Sequence, residues 1–256
     1  VAKSDIETSL PVDELVECKF RGITVLDIMS FFEREVGQVR IDIMDPKWLV
    51  FSEGFHQSEM KDTFKRAFDL VASFVILATA APFMIMAIIA IWIEEGFRAP
   101  IFYNQIRVGK DSVEYPVYKF RSMRTDAEQQ GKAVWASKQD SRVTRVGAFM
   151  RKTRIDELPQ IYNVLNGTMS FVGPRPERPE FVKELAKQIP YYHERHLVKP
   201  GVTGWAQLLY PYGASASDSY QKQLFDMYYV KNKSLFLDLL ILLQTVEVVL
   251  FGKGAR

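Results

Sequence analysis

The chain has 256 residues, of which 48% are hydrophobic and 25% charged, and its formal net charge is +2. That balance gives room for one large or two modest domains and limits any membrane contact to a local one. It also gives no global bias toward nucleic acid, and none is expected as a partner. A single cysteine, Cys18, excludes an internal disulfide and suits a reducing compartment, and three histidines with one cysteine are too few for a structural zinc site.

Lys3, Asp5 and Glu7 interrupt any apolar run at the start, so no signal peptide is expected, and the chain reads as beginning inside a longer protein. Residues 11–60 predict a fragment of an α/β layer. Val12, Leu15 and Val16 have helical spacing, with Gly22 as a stop. Ile23–Leu26 suits a short strand. Asp27 caps an expected helix carrying Ile28, Phe31 and Phe32 and ending at Gly37, and Val39, Ile41 and Ile43 alternate with polar residues as a half-buried strand does. A lone αβαβ piece cannot cover both faces of a sheet, so this stretch reads as the tail of a domain. Ser52–Lys65 reads as a polar linker.

Leu70–Ile93 then runs without a charge, but Pro82 interrupts it. A membrane span needs ~20 apolar residues, and a proline in mid-helix removes a hydrogen bond and clashes with the preceding turn. A kinked spanning helix and a helix that enters the membrane, breaks and returns both fit. Lys61, Lys65 and Arg66 before the segment, and Arg98, Arg107, Lys110, Lys119, Arg121 and Arg124 after it, make both flanks basic. Under the positive-inside rule this favours return to the same, cytoplasmic face.

Ile101–Tyr103 and Val117–Phe120 read as strands, and residues 122–145 as a polar loop or irregular helix. A helix is expected to start near Asp156, to turn Leu158, Ile161, Tyr162 and Leu165 inward, and to stop before Gly167. Glu180–Gln188 and Ser217–Asn232 are further helices. Leu235–Phe251 is apolar but holds Asp238, Gln244 and Glu247, which suits an interfacial or buried helix rather than a second span.

Three clusters could carry chemistry. Asp156–Glu157 follows Arg142, Arg145, Arg151, Lys152 and Arg154. Helix capping alone explains the two acids and Pro159. The functional alternative is a carboxylate nucleophile beside Mg²⁺, with arginines neutralising phosphate. Gly173-Pro174-Arg175-Pro176 holds one guanidinium stiffly between two prolines, either as a phosphate fork or as a rigid surface turn. Pro200–Gln207 combines two glycines, Trp205 and Gln207, the parts of a nucleobase or sugar site or of a turn around a core Trp. His193 and His196, among Tyr191, Tyr192 and Arg195, read as surface or interface residues.

In order, Lys65-Arg66-Ala67-Phe68-Asp69 before the Pro-broken segment, Tyr118-Lys119-Phe120-Arg121-Ser122-Met123, Arg154-Ile155-Asp156-Glu157-Leu158-Pro159-Gln160, Met169–Pro176 and Lys199–Gln207 form a set. With these motifs the chain resembles the bacterial sugar transferases, the monotopic polyprenyl-phosphate phosphoglycosyltransferases, over about residues 61–250. The first sixty residues resemble the end of the Rossmann-like domain of longer, exopolysaccharide-associated members.

The resemblance implies a mainly helical, membrane-associated α/β catalytic domain over 61–256, with a re-entrant helix-break-helix at 66–95, preceded by a Rossmann-like remnant and linker over 1–60. It places the protein on the cytoplasmic face of the bacterial inner membrane, in contact with its lipid; a homo-oligomer is compatible with the sequence. It implies that Asp156 attacks a UDP-sugar and releases UMP, and that polyprenyl (undecaprenyl) phosphate then takes the phosphosugar to start a surface glycan. Glu157 would act as base or orient the phosphates, Asp156 would also hold Mg²⁺, and Arg151 and Arg175 would contact phosphate. Lys119, Arg121, Pro174, Pro176, Trp205 and Gln207 complete the expected substrate-binding set. Two positions depart from the family pattern: Thr168 replaces an acid usually found before Met-Ser, and Ala81 replaces a Ser common before the helix-breaking proline. A membrane-surface scaffold with no catalysis and a glycosyltransferase releasing UDP are the competing readings; the nucleotide product separates them.

Overall fold

The computed structural model describes residues 11–55, 59–124, 142–211, 213 and 215–251. They belong to two compact units, Val1–Glu53 and Gly54–Arg256. Most of the expected polar loop at 122–145 lies outside the described residues.

In the first unit, α1 (Val12–Phe20) and α2 (Ile28–Glu35) form where the spacing predicts them, followed by α3 (Pro46–Phe51). Asp27 caps α2, accepting from the amides of Met29 and Ser30 at 2.8 and 3.0 Å. The strands expected at Ile23–Leu26 and Val39–Ile43 do not form. A strand needs a neighbouring backbone to satisfy its polar groups, and this unit supplies none among the described residues. Val39 and Ile41 are buried all the same, with Met29 and Met44. Ile43, the third residue of the alternation, is exposed, so the pattern reports burial at two of its three positions and no sheet ladder among the described residues.

The second unit opens with α4 (Glu59–Glu95), a 37-residue helix that contains Pro82. It begins inside the stretch expected to be linker. The polar side chains there are docking groups: Lys65 pairs with Asp238 at 2.6 Å, and Asp62 with Lys233 at 2.6 Å. The two helices expected on either side of Pro82 run as one element, because a proline forfeits one rung of the ladder while the rest can close. With Ala at 81, the polar side chain near the proline is Thr79, whose hydroxyl bonds back to the carbonyls of Val75 and Ile76. By length and composition this helix could cross a membrane.

Beyond it, β1 (Phe102–Val108) and β2 (Glu114–Phe120) pair antiparallel, from Phe102 opposite Phe120 to Val108 opposite Glu114. Then come α5 (Arg145–Thr153), a 3₁₀ turn (Ile155–Glu157), α6 (Gln160–Asn166), β3 (Ser170–Val172), α7 (Pro179–Gln188), a second 3₁₀ turn (Tyr192–Leu197), β4 (Gly201–Thr203), α8 (Trp205–Leu209), α9 (Ala216–Asn232) and α10 (Leu235–Phe251). Strands β3 and β4 are parallel, with Ser170 opposite Gly201 and Val172 opposite Thr203. The unit is mainly helical, and its strands serve to hold loops.

Two apolar clusters organise it. One joins Tyr115 and Val117 of β2 to Val164, Met169, Val172, Tyr229 and Ile241. The other joins Ala87 and Ile91 of α4 to Phe120 and Met150. Both ends of α4 are fastened to this same unit. Near the start, Arg66 donates to the carbonyls of Val164 and Leu165 at 2.5 and 2.6 Å, and Asp69 accepts from the Ser170 hydroxyl at 3.0 Å. At the far end the Glu94 carboxylate accepts from the amides of Arg145 and Val146 at 2.8 and 2.9 Å, so α4 caps α5. The exposed acid and the two unsatisfied amides of a helix start suit one another.

The Lys65–Asp238 pair is buried and shares the Tyr229 hydroxyl, which lies 2.7 Å from Asp238. Removing one charge of a buried pair leaves the other uncompensated, at a cost of ~3–5 kcal/mol. Asp238→Leu is therefore expected to lower the unfolding temperature more than Lys65→Met/Asp238→Leu does, as read by thermal unfolding in detergent.

Candidate active site

The acid pair stands on the 3₁₀ turn Ile155–Glu157. Arg154, in the left-handed region at φ 60°, bends the chain sharply out of α5 and into this turn. In a 3₁₀ turn, residues three apart share a face. Ile155 and Leu158 both pack against the α4–α5 cluster, which turns Asp156 and Glu157 away from it. Neither the 3₁₀ turn nor α6 has a side-chain cap. The capping explanation of this acidic pair therefore fails: Asp156 sits inside the turn rather than in front of a helix.

Glu157 is encircled by cations. Lys119 of β2 donates to Oε1 at 2.8 Å, Arg175 lies 3.5 Å from the same oxygen, and Arg154 lies 3.6 Å from Oε2. Burial pushes this carboxyl up, but Lys119, Arg175 and Arg154 outweigh burial and hold it at about 2. Glu157 is thus an ionised anchor for those cations and a poor base. Asp156 is the opposite case. It is 7% exposed, and its Oδ1 is buried without a hydrogen-bond partner. Burial raises its pKa first, the Glu157 charge second, and Lys119, Arg151 and Arg154 only partly offset them. Each acid has its own environment, and the two are set apart by it.

Arg175 projects from the Gly173–Pro176 loop, which is held from several sides. Gly173 donates to Thr203 at 3.0 Å and Gly201 to Pro174 at 3.0 Å. Arg107 donates to the carbonyl of Pro176 at 3.2 Å, and Arg195 to that of Arg175 at 3.0 Å. A Cβ on Gly204 would collide with the Gly173 carbonyl, so glycine permits the Pro200–Gln207 segment to back directly onto the arginine loop. Gln207 accepts from the Arg175 guanidinium at 3.0 Å.

Asp156, Glu157, Lys119, Arg175 and Gln207 are therefore brought together, with Pro174 and Pro176 shaping the loop. Arg151 donates to the Ser122 hydroxyl at 2.9 Å and is near enough to act on the Asp156 charge. The structure places the other two expected binding residues elsewhere: Arg121 donates to the Pro100 carbonyl at 3.0 Å, and Trp205 stacks on Tyr228, ring centroids 5.8 Å apart, against the core. Tyr162 is exposed rather than inward, its ring edge-on to Tyr118. The Thr168 hydroxyl bonds to Asn163 and Asn166, and Asn163 in turn holds the Tyr118 amide next to Lys119.

The two histidines read as surface or interface residues divide, and their neighbour Arg195 is interior. His193 is exposed, but Arg195 and His196 are buried. Arg195 pairs with Asp226 of α9 at 2.7 Å and donates to the Tyr192 hydroxyl at 2.6 Å. Burial, with the nearby Arg195 charge, presses His196 down to about 3, so it stays neutral. Arg195 is a positioning group for the Arg175 loop. Its sequence signal is Asp226, a lone acid among Leu224, Phe225, Met227 and Val230, which requires a buried cation opposite it.

The second unit is thus mainly helical, with a long apolar helix packed beside an acid turn and an arginine loop. The chain belongs to the bacterial sugar transferase family, whose model matches residues 60–252. It is 41% identical over 94% of its length to a UDP-N-acetylgalactosamine-undecaprenyl-phosphate N-acetylgalactosaminephosphotransferase of Aeromonas hydrophila, spanning 56% of that protein. It is 39% identical over 75% of its length to an undecaprenyl-phosphate glucose phosphotransferase of Komagataeibacter xylinus, spanning 36% of it. A UDP-glucose:undecaprenyl-phosphate glucose-1-phosphate transferase of Klebsiella pneumoniae is 40% identical over 75% of the chain, which spans 41% of that protein.

An aspartate whose pKa is raised by folding costs stability above its unfolded pKa, and the cost vanishes below it. Because Asp156 caps nothing, Asp156→Asn is expected to unfold at an equal or higher temperature than the parent at pH 7, with the difference lost near pH 4. Thermal unfolding at the two pH values, without Mg²⁺, checks this. A large loss of stability at pH 7 would restore a capping role.

Proposed function

We propose that this chain transfers a phosphosugar from a UDP-sugar to polyprenyl phosphate, in the first instance undecaprenyl phosphate, through a covalent adduct on Asp156. The carrying observation is the buried, unpartnered Oδ1 of Asp156 beside a Glu157 that has taken up the neighbouring cations. A nucleophile must be ionised and have an oxygen not already engaged by a cation or donor; Oδ1 of Asp156 is such an oxygen, whereas Oε1 of Glu157 is held by Lys119.

An Asp156 oxygen bonds to the sugar-bearing phosphorus, the phosphoanhydride bond breaks, and UMP leaves with the electron pair. An oxygen of the acceptor phosphate then bonds to the same phosphorus. The bond to Asp156 breaks, giving the polyprenyl diphosphosugar and free carboxylate. A phosphate monoester is largely dianionic at pH 7, so the second step needs no base. Glu157 accordingly acts by holding Lys119 and Arg175 toward the phosphates, which the Arg175 fork can grip through two nitrogens. Arg195 and Arg107 keep the loop in place. Among the described residues no group of three His, Cys, Asp or Glu could cage a metal. Mg²⁺ held by one carboxylate and substrate phosphates fits that donor set. Asp156 would hold it, and the ion would neutralise diphosphate charge.

The attachment of both ends of α4 to one unit supports a helix that enters and leaves the bilayer on one face. A spanning helix would carry Glu94 and its partner α5 across, away from Arg66, Asp69 and their partners. Phe74, Phe83, Ile85 and Ile93 of α4, with Phe236 and Leu243 of α10, are exposed and suit contact with inner-membrane lipid on the cytoplasmic side. Cysteines at Glu59 and Val113, in a Cys18→Ala background, are expected to resist a membrane-impermeant thiol reagent equally in intact cells. Labelling of one alone would establish a span.

UDP-N-acetylgalactosamine and UDP-glucose, the donors suggested by the relatives' names, are to be supplied with undecaprenyl phosphate. The expected nucleotide product is UMP, and Asp156→Asn is expected to lower turnover by roughly 10³-fold or more. UDP as product would make the protein a glycosyltransferase that moves the sugar alone. Near-parental turnover by folded Asp156→Asn would remove the nucleophile.

A further inference from the structure

We propose that the apolar groove between α4 and α5 seats the isoprenoid chain of the lipid acceptor, with its phosphate end beside Asp156; this rests on the reading of the site given above. The groove has a volume of about 720 Å³. Its width comes from Ala80, Ala87 and Ala90 of α4, and Phe149 of α5 forms its opposite wall. Ile155 and Leu158 line it as well. These two residues flank Asp156 and Glu157 in sequence, so one side of the groove is the other face of the turn that carries the reacting carboxylate.

The chemistry of the lining selects a hydrocarbon. Its two hydroxyls are committed to their own helices: Thr79 to Val75 and Ile76, and Thr153 to Phe149 and Met150. A peptide segment laid here would bury amides and carbonyls without partners, which is costly for each unsatisfied group. A polyisoprenoid brings none. Its one polar end has a destination, because Arg151 and Arg154, neighbours in sequence of the groove-lining Thr153 and Ile155, both lie close enough to act on the Asp156 charge. The entry route is also present. Phe83 and Met86 belong to the lining and are about half exposed, so the groove opens onto the apolar surface of α4. A chain dissolved in the bilayer can therefore enter sideways while its phosphate travels along the membrane surface to the acid turn.

The full chain carrying p-benzoylphenylalanine at Phe149, which is 61% exposed, is irradiated in phosphatidylethanolamine–phosphatidylglycerol vesicles containing undecaprenyl phosphate. The expected product is a protein–prenyl phosphate adduct by mass, diminished by unlabelled prenyl phosphate and absent with the label at Val12. Adducts with phospholipid alone would make the groove a general lipid contact, and a protein–protein adduct would make it an interface between copies; either overturns the proposal. Cross-linking needs no turnover, so it stands or falls apart from the chemistry assigned to Asp156.

A second variant, Ala90→Phe, narrows the groove. It is expected to raise the KM for undecaprenyl phosphate by about tenfold, while UMP released with UDP-sugar alone stays at one equivalent per enzyme. An unchanged acceptor KM in the folded variant would contradict the proposal. So would an equal loss of the donor half-reaction.

Discussion

Two carboxylates placed side by side in a buried turn repel each other, and burial penalises both charges. The turn at Ile155–Glu157 escapes this by unequal treatment. Glu157 is ringed by Lys119, Arg175 and Arg154 and remains ionised, whereas Asp156 keeps an oxygen without a partner. The three cations come from a strand, a proline-bounded loop and the residue just before the turn. The surrounding fold is largely the means of bringing them there. The hairpin presents Lys119, the parallel pair β3–β4 supports the loop of Arg175, and the buried Arg195–Asp226 pair fixes the back of that loop.

The apolar helix is part of the same arrangement rather than a separate anchor. Asp69 reaches β3 just ahead of the Gly173–Pro176 loop, and Glu94 caps the helix that leads into Arg154. Ala87 and Ile91 share a cluster with Phe120, and Ile155 and Leu158 pack against it. The position of the apolar helix is thereby tied directly to that of the acid turn. On the proposed function, in which the acceptor is a lipid, the site needs a fixed height above the bilayer, and two attachment points on one helix would supply that.

Legibility in the sequence followed the range of the interactions. Asp27, Gly167 and the apolar spacing of 180–188 and 217–232 act locally, and they marked their elements correctly. The polar residues 59–65 read as linker because their partners, Asp238 and Lys233, lie more than 160 residues away. Val39, Ile41 and Ile43 showed the alternation of a strand, but the first two are buried without a neighbouring strand among the described residues and Ile43 is exposed. The acid pair, Arg175 and Lys119 could be recognised from their ordered motifs. That Glu157 takes the cations while an Asp156 oxygen stays unpaired, that Arg195 is interior, and that Trp205 packs against the core are consequences of tertiary placement.

The central claim is that Asp156 forms the covalent bond. Its most direct test is the mass of the peptide containing Asp156 after the protein has been incubated with UDP-sugar in the absence of acceptor, quenched and digested. The account predicts an increase equal to one phosphosugar on that peptide, which disappears when undecaprenyl phosphate is added before quenching. A protein that turns over acceptor yet shows that increase on another residue would contradict it, as would turnover with no such increase on any peptide.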